Sequence, residues 1–420
     1  MGEFAEACSR TIGSGRQLVG RHPRIRQAIA FGLACLLTWG LERWLDSEVE
    51  ENEQHNIVTQ PIFGIATLYH HLVTAGPRKP KPSFAVLIEL SRHTTPPGLD
   101  LTNSCGQRQY LGELLKTLAL AHPNVVVMDK FFGGGCRLED AGTRNLLGGV
   151  IKLCEGGATV VVGRAVDDEA LKRGFPIPYP LEEALDFRAA GAGCVNEGVV
   201  NVDLDLRRVD LWFPDVKPVA YSNPPPPSLT LAAALAYRPD LKVAEWPSAA
   251  PPPYVSFLDR GQFDSVTVAA NDMICGAAGK WRACGENEIL PKVRALTRGK
   301  VVVIGEDYPG IDRHLTVVGD IAGYVLQANY IESILDDRLI RPVPELLDWA
   351  GGLVIFVCFE YLFWRHHGIG ALVRVALLFA GVALTVYLTV TLAGYYFNPT
   401  TISILAVLNS RVIELVLGKE

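Results

Sequence analysis

The chain carries no excess of positive charge. Its 420 residues include 39 lysines and arginines against 45 acids, a net charge of −6. That balance leaves no electrostatic footprint for nucleic acid. The local signatures of common catalysts are missing as well. There is no Walker-type phosphate loop. Val301-Val-Val-Ile-Gly-Glu306 has one glycine after a strand-like run, so the dinucleotide fingerprint fails. No Gly-x-Ser-x-Gly elbow and no His-Glu-x-x-His pair occurs. No Cys-x-x-Cys spacing exists to suggest zinc. Internal repeats are absent, and only the proline runs are of low complexity. The expectation is a protein that is not an enzyme, with no catalytic residue, metal or cofactor.

What is abundant is apolar residue. They make up 49% of the chain, and the mean hydropathy is +0.20. That is too apolar for an ordinary soluble enzyme and too polar for a pure transporter. Four segments are candidates for a bilayer. Residues 28–45 hold a short apolar run behind Arg10, Arg16, Arg21, Arg24 and Arg26, with Trp39 and Trp44 as interfacial anchors. A cleaved signal peptide is the rival reading, but no small-residue cleavage site follows. Residues 346–364 and 375–394 are spans of membrane length. Residues 399–418 either cross or lie in the interface.

Loop charge orients these spans. The arginine-rich tail, 1–27, and the basic loop 365–374 both belong to the cytoplasm. Residues 46–345 are then exported. The expected location is a bacterial inner membrane, with the N-terminus cytoplasmic and the main domain periplasmic. Cysteine placement gives the same answer. Cys105, Cys136, Cys154, Cys194, Cys275 and Cys284 all fall in the exported part. An even set in an oxidising compartment implies disulfides, although six cysteines allow 15 pairings. Cys275 with Cys284 is favoured because it closes a short glycine-containing loop.

The exported part alternates strand and helix signals. Phe84-Ala-Val-Leu-Ile-Glu-Leu90, Val125-Val-Val-Met-Asp129 and Thr159-Val-Val-Val162 are continuous apolar runs of the kind buried on both faces. Leucines 111, 114, 115 and 118 recur at helical spacing between the first two. A helix is expected over 140–153 and another over 321–335. Ser228 caps a short alanine-rich helix, and 263–270 and 300–305 supply later strands. Residues 199–202 and 209–212, flanking a polar stretch, predict a hairpin. The expected fold is an α/β extracytoplasmic domain with a mainly parallel or mixed sheet, plus an α-helical transmembrane bundle.

Acids stand where strands end. Glu89 and Asp129 close two buried runs, and Asp307 follows a third. Ligands of open α/β sheets bind beyond the carboxyl ends of strands. The candidate ligand pocket is therefore Glu89, Arg92, Asp129, Asp307 and His314. The competing reading of these residues is helix capping and surface charge. Within the spans, Glu360 and Arg411 are costly to bury and are expected to pair with each other or with a partner subunit, the competing reading being that they snorkel to the headgroups.

Four stretches carry a family resemblance over roughly 84–344. They are His122-Pro-Asn-Val-Val-Val-Met-Asp-Lys-Phe-Phe132, Gly193-Cys-Val-Asn-Glu-Gly-Val-Val-Asn-Val-Asp203, Gly299-Lys-Val-Val-Val-Ile-Gly305, and 321–335. In order and spacing they resemble the type 2 CHASE domain, an extracytoplasmic sensor module of bacterial signalling proteins. The resemblance implies one N-terminal anchor and about three C-terminal spans. The family's loop before its last helix reads like Gly-Asp-Arg-Phe-x-Thr-Pro. Here Asp312, Arg313 and Thr316 keep that pattern and His314 replaces the aromatic residue. Paired acids after the first strand are replaced by Glu89-Leu-Ser-Arg92, and six exported cysteines are unusual for the family. Relatives often continue into a kinase or cyclase, and no such effector is legible in this sequence. The expected function is a membrane-anchored sensor or adaptor acting through a partner. The alternative is an accessory structural subunit of a membrane complex. Expected partners are the lipid bilayer, another membrane protein or effector subunit, and an unknown extracytoplasmic ligand.

Overall fold

The structure is a computed structural model. It describes residues 82–90, 104–130, 136, 140–164, 193–200, 206, 208–213, 226–247, 250–277, 280–307, 312–316, 318–344, and single positions within 347–358 and 395–396. The chain divides into two compact units, Thr74–Arg341 and a second formed by Met1–Val73 with Pro342–Glu420. In the second unit, Leu347, Val354 and Val357 are helical and exposed. Among the described residues no helix is long and apolar enough to cross a membrane. Most of the four expected spans, with Glu360 and Arg411, lies outside the described residues.

The first unit is built on six strands. In chain order they are β1 (Ala85–Leu90), β2 (Val125–Asp129), β3 (Thr159–Arg164), β4 (Val195–Val199), β6 (Thr267–Ala269) and β9 (Val301–Glu306). Between the last strands fall β5 (Tyr254–Val255) and a hairpin of β7 (Ile274–Ala277) with β8 (Lys280–Ala283). The sheet runs β4-β3-β2-β9-β1-β6, and all five pairings in it are parallel. The apolar runs are what allows this, since a parallel sheet must be covered on both faces. Val86, Ile88 and Leu90 point into one core, and Ala85 and Leu87 into the other.

Helices α1 (Ser104–Ala119) and α2 (Ala141–Glu155) cover the first face, and α3 (Leu229–Tyr237) begins the cover of the second. A short turn, α4 (Arg260–Phe263), follows, and α5 (Pro291–Thr297) leads into β9. Right-handed crossovers explain the layout. Steps from β1 to β2 to β3 move toward one edge and carry α1 and α2 on one face. The return to the opposite edge, at β6, carries α3 on the other face. The step from β6 back to β9 moves in the first direction again, and Val293 of α5 joins the first core.

After β9 come the hairpin strands β10 (Arg313–Thr316) and β11 (Gly319–Ala322), the helix α6 (Gly323–Leu335), and β12 (Leu339–Pro342), which pairs with β5. All 13 residues of α6 are buried. Its polar side chains are therefore each assigned a partner. Asn329 Oδ1 accepts from Leu258 N at 2.7 Å, Ser333 Oγ donates to Ser256 O at 3.0 Å, and Gln327 Nε2 donates to Val200 O at 3.2 Å. Glu332 accepts from three successive backbone N–H groups, those of Ser83, Phe84 and Ala85, at 3.1, 2.6 and 2.5 Å. Burial pushes this carboxyl above its usual range, and the three donors pull it back. The last helix is thus fastened to the first turn of the first strand.

Expectation and structure differ at three places. Residues 199 and 209–212 form no hairpin with each other. Val199 ends the parallel edge strand β4, while Arg208 bridges to Tyr254 and Trp212 to Pro227. Only 267–269 of the expected strand 263–270 is extended, because Asp259 and Gln262 form a capping box that winds α4 first. Ile321 and Ala322 belong to β11 rather than to the last helix. Ser228 does cap α3, accepting from Leu231 N at 3.1 Å.

All six cysteines expected to form disulfides are paired. Cys105 joins Cys136, Cys154 joins Cys194, and Cys275 joins Cys284 across the β7–β8 hairpin. Sequence separations of 31 and 40 remove about 4 kcal/mol each of denatured-chain entropy, and the separation of 9 about 2.5 kcal/mol.

Replacing Glu332 tests the fastening. E332A strands three backbone donors and is expected to lower unfolding stability by about 3 kcal/mol. E332Q keeps an acceptor oxygen and should lose less, as read by chemical denaturation.

Candidate functional site

The carboxyl edge of the sheet is where the chain diverges. The connections after β1 and β2 pass to the α1/α2 face, and that after β9 passes to the α6 face. Since β9 lies between β1 and β2, its carboxyl end is a topological switch point, where such sheets form a crevice.

Three residues sit in register there. Glu89 of β1 and Asp129 of β2 both lie beside Gly305 of β9. By strand alternation all three face α6, as Ala85, Val125 and Val301 do. Gly305 has no side chain because Tyr324, in the first turn of α6, occupies that space. A Cβ on residue 305 would stand 2.1 Å from Tyr324 Cβ. The buried Tyr324 hydroxyl is bonded to Glu89, and burial followed by the charges of Glu89 and Asp307 holds its pKa far above the usual value.

Cations gather on this edge. Asp307, whose side chain is 10% exposed, is held between two guanidinium groups. Arg260 Nη2 of α4 stands at 2.8 Å and Arg313 Nη1 of β10 at 2.5 Å. Arg260 also approaches Glu89 at 3.9 Å, and Arg313 Nε reaches Asp320 at 2.8 Å. Lys130, buried to 6% exposure, pairs with Glu306. The capping box that winds α4 is what aims Arg260 at the crevice.

Asp312 closes the edge from above. It has a left-handed backbone, φ 47°, and its carbonyl accepts from Gly323 N at 2.8 Å. Its carboxyl group rests on Gly323, where a Cβ would meet Oδ2 at 2.0 Å. Only glycine admits that contact at the start of α6. His314 Nε2 lies 3.0 Å from Asp312 Oδ1. Asp129 faces this pair. Its carboxyl is pushed up to about 7, first by burial and second by the charge of Asp312, while His314 works in the opposite direction. The Asp129 carboxyl has no hydrogen-bond partner among the described residues.

Four of the five expected site residues, Glu89, Asp129, Asp307 and His314, therefore meet at one edge. Arg92 lies outside the described residues. The sequence reading did not assign Arg260, Asp312, Arg313 or Tyr324 to the site. Asp312 and Arg313 stood in the family-like loop, and Asp259-x-x-Gln262 was legible as a helix start. Nothing local could connect Arg260 to Asp307. The arrangement is chemically a charged seat with one acid, Asp129, whose neighbours do not neutralise it. Elsewhere, Cys105, Cys136 and Asp140 lie close enough for a metal, but the two sulfurs are bonded to each other.

Close seating of Tyr324 on Gly305 predicts that G305A destabilises the domain by about 2 kcal/mol. In a double-mutant cycle with Y324A, the two losses should fall short of additive by 0.5 kcal/mol or more, because the added methyl then has room.

A family model, the CHASE2 domain, matches residues 81–363. No curated protein and no solved structure matches the chain. The match begins two residues before those clamped by Glu332 and encloses the whole sheet, the switch-point crevice and α6. The chain belongs to the CHASE2 domain family, a family of extracytoplasmic sensor domains.

Proposed function

We propose that this protein is a membrane-anchored sensor that reads a polar extracytoplasmic ligand and passes the signal to a separate partner protein. The ligand site is the crevice at the carboxyl ends of β1, β9 and β2. The observation that carries this reading is the position of α6. Its first turn forms the crevice floor through Tyr324 and Gly323, and its last turn, through Glu332, grips the start of β1. A ligand that favours one seating of α6 would shift that seating at the far end, by as much as its affinities for the two states differ. The segments flanking this unit in sequence, 28–45 and 346–418, would carry the shift through an inner membrane, with residues 46–345 outside. Residues Glu360 and Arg411 would pair within the spans or with the partner.

We also infer that the chain catalyses no reaction. In support, Asp307 is held between two arginines, and His314 pairs with Asp312 rather than with a hydroxyl or thiol.

Co-purification of the full chain in mild detergent, followed by mass spectrometry, tests the proposal. The expected result is one recurring membrane protein that bears a kinase or cyclase domain. A recurring partner without any catalytic domain would favour the structural-subunit alternative. A lone monomer would overturn both.

A further inference from the structure

We propose that Asp129, Asp312 and His314 form a proton-operated catch that sets how firmly the β10–β11 hairpin and the start of α6 seat on the sheet. The proposal deepens the sensor reading by naming a proton as one input, and it rests on that reading only for its biological output.

The argument starts from charge compensation. Around Asp129, most charged groups already have opposite partners. Lys130 of β2 is tied to Glu306 of β9. Asp307 is held by Arg260 of α4 and Arg313 of β10, and Arg313 also holds Asp320 of β11. Glu89 of β1 is bonded to Tyr324 of α6 and faces Arg260. Among the described residues, three groups are left to answer one another, two acids and one histidine. Asp129 is fixed to the end of a central strand, beside Gly305. Asp312 and His314 ride on the hairpin, and Asp312 lies directly on Gly323.

The two acids therefore belong to different parts of the fold, one at the end of a central strand and one at the start of a hairpin. With Asp129 neutral, the hairpin seats against β2 without opposition. With Asp129 ionised, its buried carboxylate faces that of Asp312, whose side chain is half exposed, so two like charges oppose each other under partial screening by water. The repulsion acts across the junction between the sheet and the start of α6. Its relief is outward movement of the hairpin or uptake of a cation beside His314.

The pH range follows from the titration of Asp129, raised from 3.8 to about 7. The folded state holds this proton more tightly than the unfolded chain does. Stability from this group is then greatest below about pH 4 and is lost as pH rises through about 7. The seated form belongs to the acid side and the loosened form to the alkaline side.

The test uses the full chain in detergent. Hydrogen exchange of residues 312–323, corrected for the intrinsic effect of pH on exchange, is followed from pH 5 to 9. Wild type should lose protection with a midpoint near 7. D129N should stay protected throughout. D312N removes the repelling charge and should move the midpoint down, whereas H314Q removes the attracting one and should move it up. Opposite signs in those two variants identify the group even if D129N folds poorly. A transition that survives in D129N, or one that vanishes in H314Q while D312N leaves it unmoved, overturns the catch. A flat wild-type profile overturns it too. Co-purification is independent of this readout, so absence of a partner with an intact transition removes the sensor reading and leaves the catch.

Discussion

The closeness of α6 to the central strand β9 is the constraint on which the rest depends. A helix seated against a strand this tightly leaves no room for a side chain at Gly305, and Tyr324 takes the space. That one contact places an aromatic ring between Glu89 and Asp129 and brings the start of the helix under Asp312. It also explains why α6 is buried along its whole length. A helix with no exposed face must satisfy every polar side chain internally, and its polar residues stitch Val200 and the segment 256–258 to the core. Glu332 completes this at the far end, where its carboxyl collects the backbone donors that precede β1.

The charges at the carboxyl edge make sense on that frame. Two arginines from separate elements converge on Asp307, so the edge is held by ion pairs that bridge α4, β9 and β10 rather than by apolar packing. Such a seat is polar, partly buried and assembled from parts that can separate. An apolar seam would have been stronger and less responsive. The family's Asp-Arg pair before the last helix gains a physical role here. Asp312 covers the helix start, and Arg313 ties the hairpin to β9.

Much of the fold was legible because a parallel sheet writes itself as apolar runs. Val125–Asp129 was read to the residue, and the strand-end acids followed from the same runs. The edge strand β4 was not, since Asn196 and Glu197 interrupt its apolar pattern and its partner β3 lies across a long crossover. The short-range disulfide, Cys275–Cys284, was legible from the loop it closes. The other two pairs join segments that only the assembled layers bring together, Cys105 of α1 with the approach to α2 and Cys154 of α2 with the approach to β4, which no local spacing encodes. The site divides in the same way. Acids announced themselves at strand ends, whereas Arg260 and Tyr324 reach the edge through the order in which the strands assemble.

The placement of the disulfides has a mechanical consequence. All three lie on the side of the sheet covered by α1 and α2, and they cross-link that layer to itself and to the strands beside it. The layer containing α3 and α6 is held by packing and hydrogen bonds. The domain therefore behaves as a stiff covalent backing with a compliant cover. Thermal fluctuation or load is absorbed where no sulfur bond resists it. The softer half is also the half that holds the helix start, the charged seat and the grip on the first strand.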